Sequence, residues 1–232
     1  MLLAAALYAY DALILLAPNE AVLVRQGQGW RAVFGALHWR LAGREPCLPG
    51  LLAPHRPFVR LAWQFEGEPS GVPRRPVQAL PGLGALALCS WLSALTLFML
   101  LPLALFVPWG TGLRLAVIAL LYGVNLTALV LLHGICRRLG VPAARYWSTA
   151  FECLVCPPFC INLMRRACEW AGQDEDFLRA CQRLLSSEAL AQVHAQCLAR
   201  VEEQIAFEDE QSGRMAALQR TRARLLPRES AA

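Results

Sequence analysis

The sequence contains no lysine: all 22 of its basic residues are arginine, set against 17 acidic ones. Either cation would serve at a surface, so this is a compositional bias rather than the mark of a site. Charge of any sign is missing from two long stretches, residues 83–107 and 115–136. Charged residues make up 17% of the chain and hydrophobic ones 56%, where an ordinary soluble domain is about a quarter charged. A helix needs about 20 apolar residues to cross a hydrocarbon core of about 30 Å. The runs 83–107 and 113–136 therefore predict two membrane-spanning helices. The turn between them, Pro108-Trp109-Gly110-Thr111-Gly112, combines breakers with an interfacial aromatic. Two such helices in series inside a soluble protein would need a very large core around them.

Catalytic signatures are also missing. There is no Walker-type glycine loop, no GxSxG and no HExxH. The four histidines, His38, His55, His133 and His194, do not fall at metal-ligand spacing. An enzyme is therefore not the favoured class. The net charge of +5 does not form a basic stripe interleaved with exposed aromatics, so no nucleic-acid partner is expected.

Residues 2–18 form a third apolar segment, 17 residues long, interrupted by Asp11. It has no basic n-region, an acid interrupts it and no clear small-x-small cleavage site follows, so a cleaved signal peptide is a poor fit. It reads as a first span (domain 1–18), with a shallow hydrophobic anchor as the alternative. Residues 19–81 are Arg-, Pro- and Gly-rich. Strand-like runs at 21–25, 30–34 and 58–65 alternate with glycine turns, and Val59, Leu61, Trp63 and Phe65 share one face at period two. A small juxtamembrane β-rich module follows from this, with 66–81 as a Pro-rich linker into the hairpin at 82–136.

Within the hairpin, Ala85, Cys89 and Ser93 on the first span and Ala119, Gly123 and Thr127 on the second recur every four residues. Small side chains at that spacing let helix backbones approach closely, so these six predict the packing seam. Asp11, Asn125 and Tyr122 are the intramembrane polar residues. A lone carboxylate at mid-bilayer is costly, and a hydrogen bond from Asp11 to Asn125 or Tyr122 would hold the bundle together.

Arginines crowd residues 25–75 and everything after position 137, while the 108–114 turn holds only Arg114. The positive-inside rule then predicts three spans in the cell inner membrane, N-terminus outside and C-terminus cytoplasmic. Residues 137–170 are apolar in the middle, but Pro157-Pro158 interrupts them, Glu152 sits inside and arginines flank both ends. That pattern predicts an interfacial or re-entrant segment in preference to a fourth span. Residues 171–232 return to soluble composition and predict three helices in a cytosolic tail. The stripe Leu190, Val193, Cys197, Val201 and Ile205 predicts an apolar face, and Leu190, Val193, Val201 and Ile205 are the candidate residues for docking a partner.

Nine cysteines is an odd number, and most lie in segments assigned to the reducing cytosol, which argues against a disulfide scaffold. Cys153, Cys156, Cys160 and Cys168 could ligate zinc or an iron–sulfur cluster. Their spacing matches neither the ferredoxin run nor a zinc ribbon, so no cofactor is favoured. The expected fold is a mainly α membrane protein of three transmembrane helices with the β-rich insertion and helical tail. The expected function is an accessory or scaffold role with a protein partner or a second copy of the chain. The alternatives are a metal or redox component on the four cysteines and a small transporter subunit around Asp11 and Asn125.

Overall fold

The computed structural model describes residues 2–63, 82–107, 110–171, 175–208 and 212–226. The 66–81 linker, Gln64, Phe65 and the Pro108-Trp109 pair of the turn lie outside the described residues. The chain is mostly helical with small sheets. It divides into two compact units. Unit 1 comprises 1–14, 48–59 and 75–172; unit 2 comprises 15–47, 60–74 and 173–232.

In unit 1 the chain begins with α1 (Leu2–Ala12). The first long apolar helix runs as α2 (Leu83–Leu95), a π-helical segment (Thr96–Leu100) and α3 (Leu101–Phe106). The second is α4 (Thr111–Leu139). As continuous helices they are 24 and 29 residues long with mean hydropathy 2.0 and 2.4. Both are long and apolar enough to cross a membrane; a third such helix is not found among the described residues. The expectation of three spans is corrected at α1. Its 11 residues reach about 16 Å, half a hydrocarbon core. The helix closes with a turn from Leu13 N to Tyr10 O, and the apolar run then continues as strand β1 (Ile14–Leu16).

The seam between α2 and α4 is also different from the expected one. Leu86, Cys89, Ser90 and Ser93 are buried on α2, and Val117, Leu121, Asn125, Ala128 and Leu132 on α4. Ala119, Gly123 and Thr127 are exposed, as is Ala85, and a Cβ built on Gly123 would meet nothing within 4 Å. The small residues of α2 already make room, so α4 fills the seam with leucines, and small meets large across it.

Pro142 opens α5 (Ala143–Val155), and the proline pair ends it, since the residue before a proline is driven out of the helical region. A 3-10 segment (Pro157–Asn162) leads into α6 (Leu163–Ala171). Residues 137–170 thus form a helix–break–helix, with the Tyr146 hydroxyl donating to the Leu129 carbonyl of α4 at 3.2 Å.

Unit 2 holds most of the strands and the tail helices, whereas residues 48–59 of the expected β-module belong to unit 1; the chain changes unit within β1, after Cys47 and within β5. Strands β2 (Glu20–Gln26) and β3 (Gly29–Val33) form an antiparallel hairpin pairing Val22 with Val33 and Gln26 with Gly29. Its two-residue loop needs a positive φ, supplied by Gly27 at 61°. Strand β4 (Glu45–Cys47) pairs with β1, and β5 (Phe58–Ala62) completes the order β3–β2–β5. Val59, Leu61 and Trp63 are buried and Arg60 is half-buried, in keeping with the period-two pattern, although Phe58 is buried as well.

Three capped helices follow. Asp176 caps α7 (Phe177–Leu184), Ser186 caps α8 (Ser187–Phe207) and Ser212 caps α9 (Gly213–Leu225). The rings of Phe34, Trp63 and Phe177 meet at centroid distances of 5.6–6.1 Å. Val193, Cys197 and Val201 of α8 and Leu218 of α9 are buried in the same unit.

Candidate functional site

The described chemistry concentrates where α1 ends against α5 and α6, all within unit 1. A helix C-terminus leaves carbonyls without partners. Here Asn162 Nδ2 donates to Tyr8 O at 3.2 Å, and Arg165 Nη1 donates to Ala12 O at 2.8 Å. A guanidinium in that position also complements the negative end of the helix dipole. Arg165 Nη2 reaches Gly50 O at 2.9 Å.

Asp11, in the last turn of α1, accepts from Arg166 Nη2 on Oδ1 at 2.5 Å and from Asn162 Nδ2 on Oδ2 at 3.0 Å. Arg166 Nη1 donates to Glu152 Oε2 of α5 at 2.7 Å and to Thr149 Oγ1 at 3.2 Å. Burial works against the Arg166 charge, but Asp11 and Glu152 outweigh it and hold the guanidinium above its ordinary value. One arginine on α6 therefore ties α1 to α5. Beside the network lies a cavity of about 370 Å³, lined by Asp11, Glu152, Arg165, Arg166, Arg145 and Glu169 among others. Arg145 lies over the Trp170 ring, 5.4 Å from its centroid.

The other candidate residues fall elsewhere. Asn125 is buried and accepts from Ser93 Oγ on Oδ1 at 2.8 Å, while Tyr122 is exposed. The expected bond from Asp11 to either of them is replaced by bonds from Arg166 and Asn162, met where Asp11 lies in the last turn of the short α1. Val193 and Val201 are buried within unit 2, and Leu190 and Ile205 are half-buried, so the docking stripe is largely spent on the fold of its own unit.

Cys153, Cys160 and Cys168 are buried and Cys156 is half-buried; all nine cysteines are free. Cys160 Sγ donates to Cys153 O at 3.9 Å. A side-chain hydrogen bond with Cys153, together with burial, pushes the Cys160 thiol up, and burial pushes the Cys168 thiol up to about 12. Among the described residues, no three His, Cys, Asp or Glu side chains come together in a group that could hold a metal ion.

Sequence reasoning missed Arg165, Arg166 and Asn162 as functional neighbours of Asp11. The available signal was the arginine pair placed directly after an apolar stretch, which was spent on membrane orientation. A lone acid in one apolar run and a surplus cation at the edge of another are natural partners. Comparison of the chain with protein-family models, with curated proteins and with solved structures gives no match.

Proposed function

We propose that the chain is a multi-pass integral membrane protein of the cell inner membrane with an accessory or scaffold role, anchored by the Leu83–Phe106 and Thr111–Leu139 helices. The observation that carries this reading is the outward face of those helices. Only 33% of the most apolar window of each is buried, and Trp91, Met99, Leu103, Leu115, Leu120 and Val130 are left exposed. So large an apolar face is stable against lipid and a liability in water.

Arg137 and Arg138 close the second helix, whereas only Arg114 lies near the 110–112 turn. The positive-inside rule then favours the cytoplasm for the segments before residue 83 and after residue 139. Two spans bring the N-terminus to the same side as the C-terminus, where three would leave it outside.

The accessory role is supported by how the polar groups are used. Asp11, Arg166 and Glu152 are tied to one another, which fastens three helices. With Val193 and Val201 buried, the partner, either another protein or a second copy of this chain, is met mainly through other surfaces.

Alkaline carbonate extraction followed by a mild-detergent pull-down with mass spectrometry tests both parts. The protein should stay in the pellet until detergent is added and should then bring down a stoichiometric partner or itself. A soluble supernatant overturns the membrane reading; a partnerless monomer overturns the accessory reading.

A further inference from the structure

The cavity beside Asp11 mixes both signs of charge in equal number. Arg145, Arg165 and Arg166 line it, and so do Asp11, Glu152 and Glu169. Arg166 is engaged by Asp11 and Glu152, and Arg165 is buried on the carbonyls of Ala12 and Gly50. Arg145 is different. It is exposed, its guanidinium rests on the Trp170 ring, and no ion pair joins it to a described carboxylate. Glu152 is also reachable: its side chain remains 42% exposed after pairing with Arg166.

Arg145, Ser148, Thr149 and Glu152 stand at i, i+3, i+4 and i+7 on α5, so one helical face presents a cation, two hydroxyls and an anion in line. The ends of that line are about 10 Å apart along the helix axis. A different face of α5 carries Trp147, Phe151 and Leu154 at i, i+4 and i+7, with Val155 beside them. All four are exposed. A helix with this division lies in the membrane interface, its apolar face among the acyl chains and its polar face at headgroup depth.

A simple anion entering this cavity would meet Arg145 but also face Glu152, and a simple cation would meet the reverse. We propose that the cavity binds a zwitterion that carries both a phosphate and a primary ammonium. The phosphate sits on Arg145 and the ammonium on Glu152, whose Oε1 also accepts from Ser148 Oγ at 3.4 Å. The same chemistry comes from two sources, an aminophospholipid headgroup or free phosphoethanolamine. A quaternary ammonium is excluded as the preferred partner because it has no N–H to donate to Glu152. The lipid source rests on the membrane reading given above; the charge pattern of the pocket does not.

Native mass spectrometry of the detergent-purified full chain tests this, with phosphatidylethanolamine, phosphatidylglycerol and phosphatidylcholine of matched chains supplied in equal amounts. The ethanolamine lipid should be retained about tenfold over the others, a difference that one charge-assisted contact supplies. Arg145→Gln changes an exposed side chain and should unfold at the wild-type temperature, yet lose the preference. Glu152→Gln should transfer the preference to the glycerol lipid, an inversion that loosened packing alone would not produce.

Addition of free phosphoethanolamine at millimolar concentration separates the sources. Displacement of the lipid shows that the headgroup suffices, and retention of the lipid shows that the chains contribute; either supports the site. Retention of all three lipids in proportion to supply, with no binding of free phosphoethanolamine by calorimetry, overturns it. So does a preference that survives Arg145→Gln. A chain that stays in the supernatant without detergent and still binds phosphoethanolamine would overturn the membrane reading while leaving the pocket in place.

Discussion

Asp11 and Arg166, 155 residues apart in the chain, form an ion pair of 2.5 Å whose side chains are 10% and 19% exposed. The pair joins the end of α1 to α6, and Arg166 carries the linkage on to Glu152 of α5. Removing one member of a largely buried pair leaves the other charge without compensation, which is costlier than the pair's net contribution. Asp11→Leu should therefore destabilise unit 1 by about 2–3 kcal/mol. Asp11→Asn keeps an oxygen for Asn162 and Arg166 and should cost about 1 kcal/mol. Thermal unfolding in detergent micelles measures both. Equal tolerance of the two substitutions would show that the pair does not hold α1 in place.

The fate of α1 shows what the sequence could and could not disclose. Uncharged runs of more than 20 residues admit one reading, so the two long helices were legible from composition alone. The strands of the β-module were legible because Val59, Leu61 and Trp63 alternate with Arg60 over a period no helix shares. Residues 2–16 gave no such signal. The run stays apolar on both sides of Leu13, where helix gives way to strand, and Asp11 just before that switch meets its partner 155 residues later. The seam residues failed for a related reason. Periodicity places Ala119, Gly123 and Thr127 on one face but does not say whether that face looks inward, and nearly every face of α4 is apolar.

Glu45 and Arg200 form a second long-range pair, inside unit 2, with side chains 1% and 6% exposed. Arg200 also donates to Gly35 O at 2.6 Å and lies over the Phe34 ring. Burial raises the Glu45 carboxyl above its ordinary value of 4.5, and Arg200 only partly offsets this. Between 4.5 and the raised value the folded state holds a proton that the unfolded state has lost. This contribution to stability is full below pH 4.5 and is lost as pH rises through the raised value. Hydrogen exchange of peptides covering α8 in the full chain should show protection falling over that window. Glu45→Gln should flatten the dependence, and Arg200→Ala, which strands the carboxylate, should cost about 3 kcal/mol at neutral pH. A pH profile unchanged in Glu45→Gln would assign the dependence to other groups.

The buried thiols make a separate prediction. Burial holds Cys168, Cys181 and Cys197 up at about 12, and the thiolate is the reacting species. At pH 8 the folded protein should leave these three unmodified by a maleimide over minutes, whereas denaturant should expose all nine. Because the folded values lie above those of an unfolded cysteine, stability should decline as pH climbs from 9 towards 12. Rapid labelling of Cys168 in the native state would show that its end of α6 opens far more readily than its packing implies. Zinc added at neutral pH should release no protons and raise no unfolding temperature; a clear stabilisation would revive the four-cysteine site.

Ser93 and Gly123 separate the packing seam from the face outside it. Ser93 is buried and donates to Asn125, so Ser93→Leu both overfills the seam and removes the donor. The expected loss is about 2–4 kcal/mol, from overpacking and a stranded amide oxygen together. Gly123 has open space around its missing Cβ and a helical backbone with no positive φ. Gly123→Ala should then be neutral or should stabilise α4 by about 0.5–1 kcal/mol, because alanine loses less backbone freedom in a helix than glycine. Gly123→Leu gives a sharper reading. In an isolated chain the leucine projects into the open space around Gly123 and costs little, so the unfolding temperature of the monomer should not move. If two copies, or a copy and a partner helix, meet through Ala119, Gly123 and Thr127, the same leucine holds their backbones apart and the complex should dissociate on size exclusion. The unfolding temperature thus reports on the α2–α4 seam and the elution volume on the outer face, and a change in the first for Gly123→Leu would place Gly123 back in the seam.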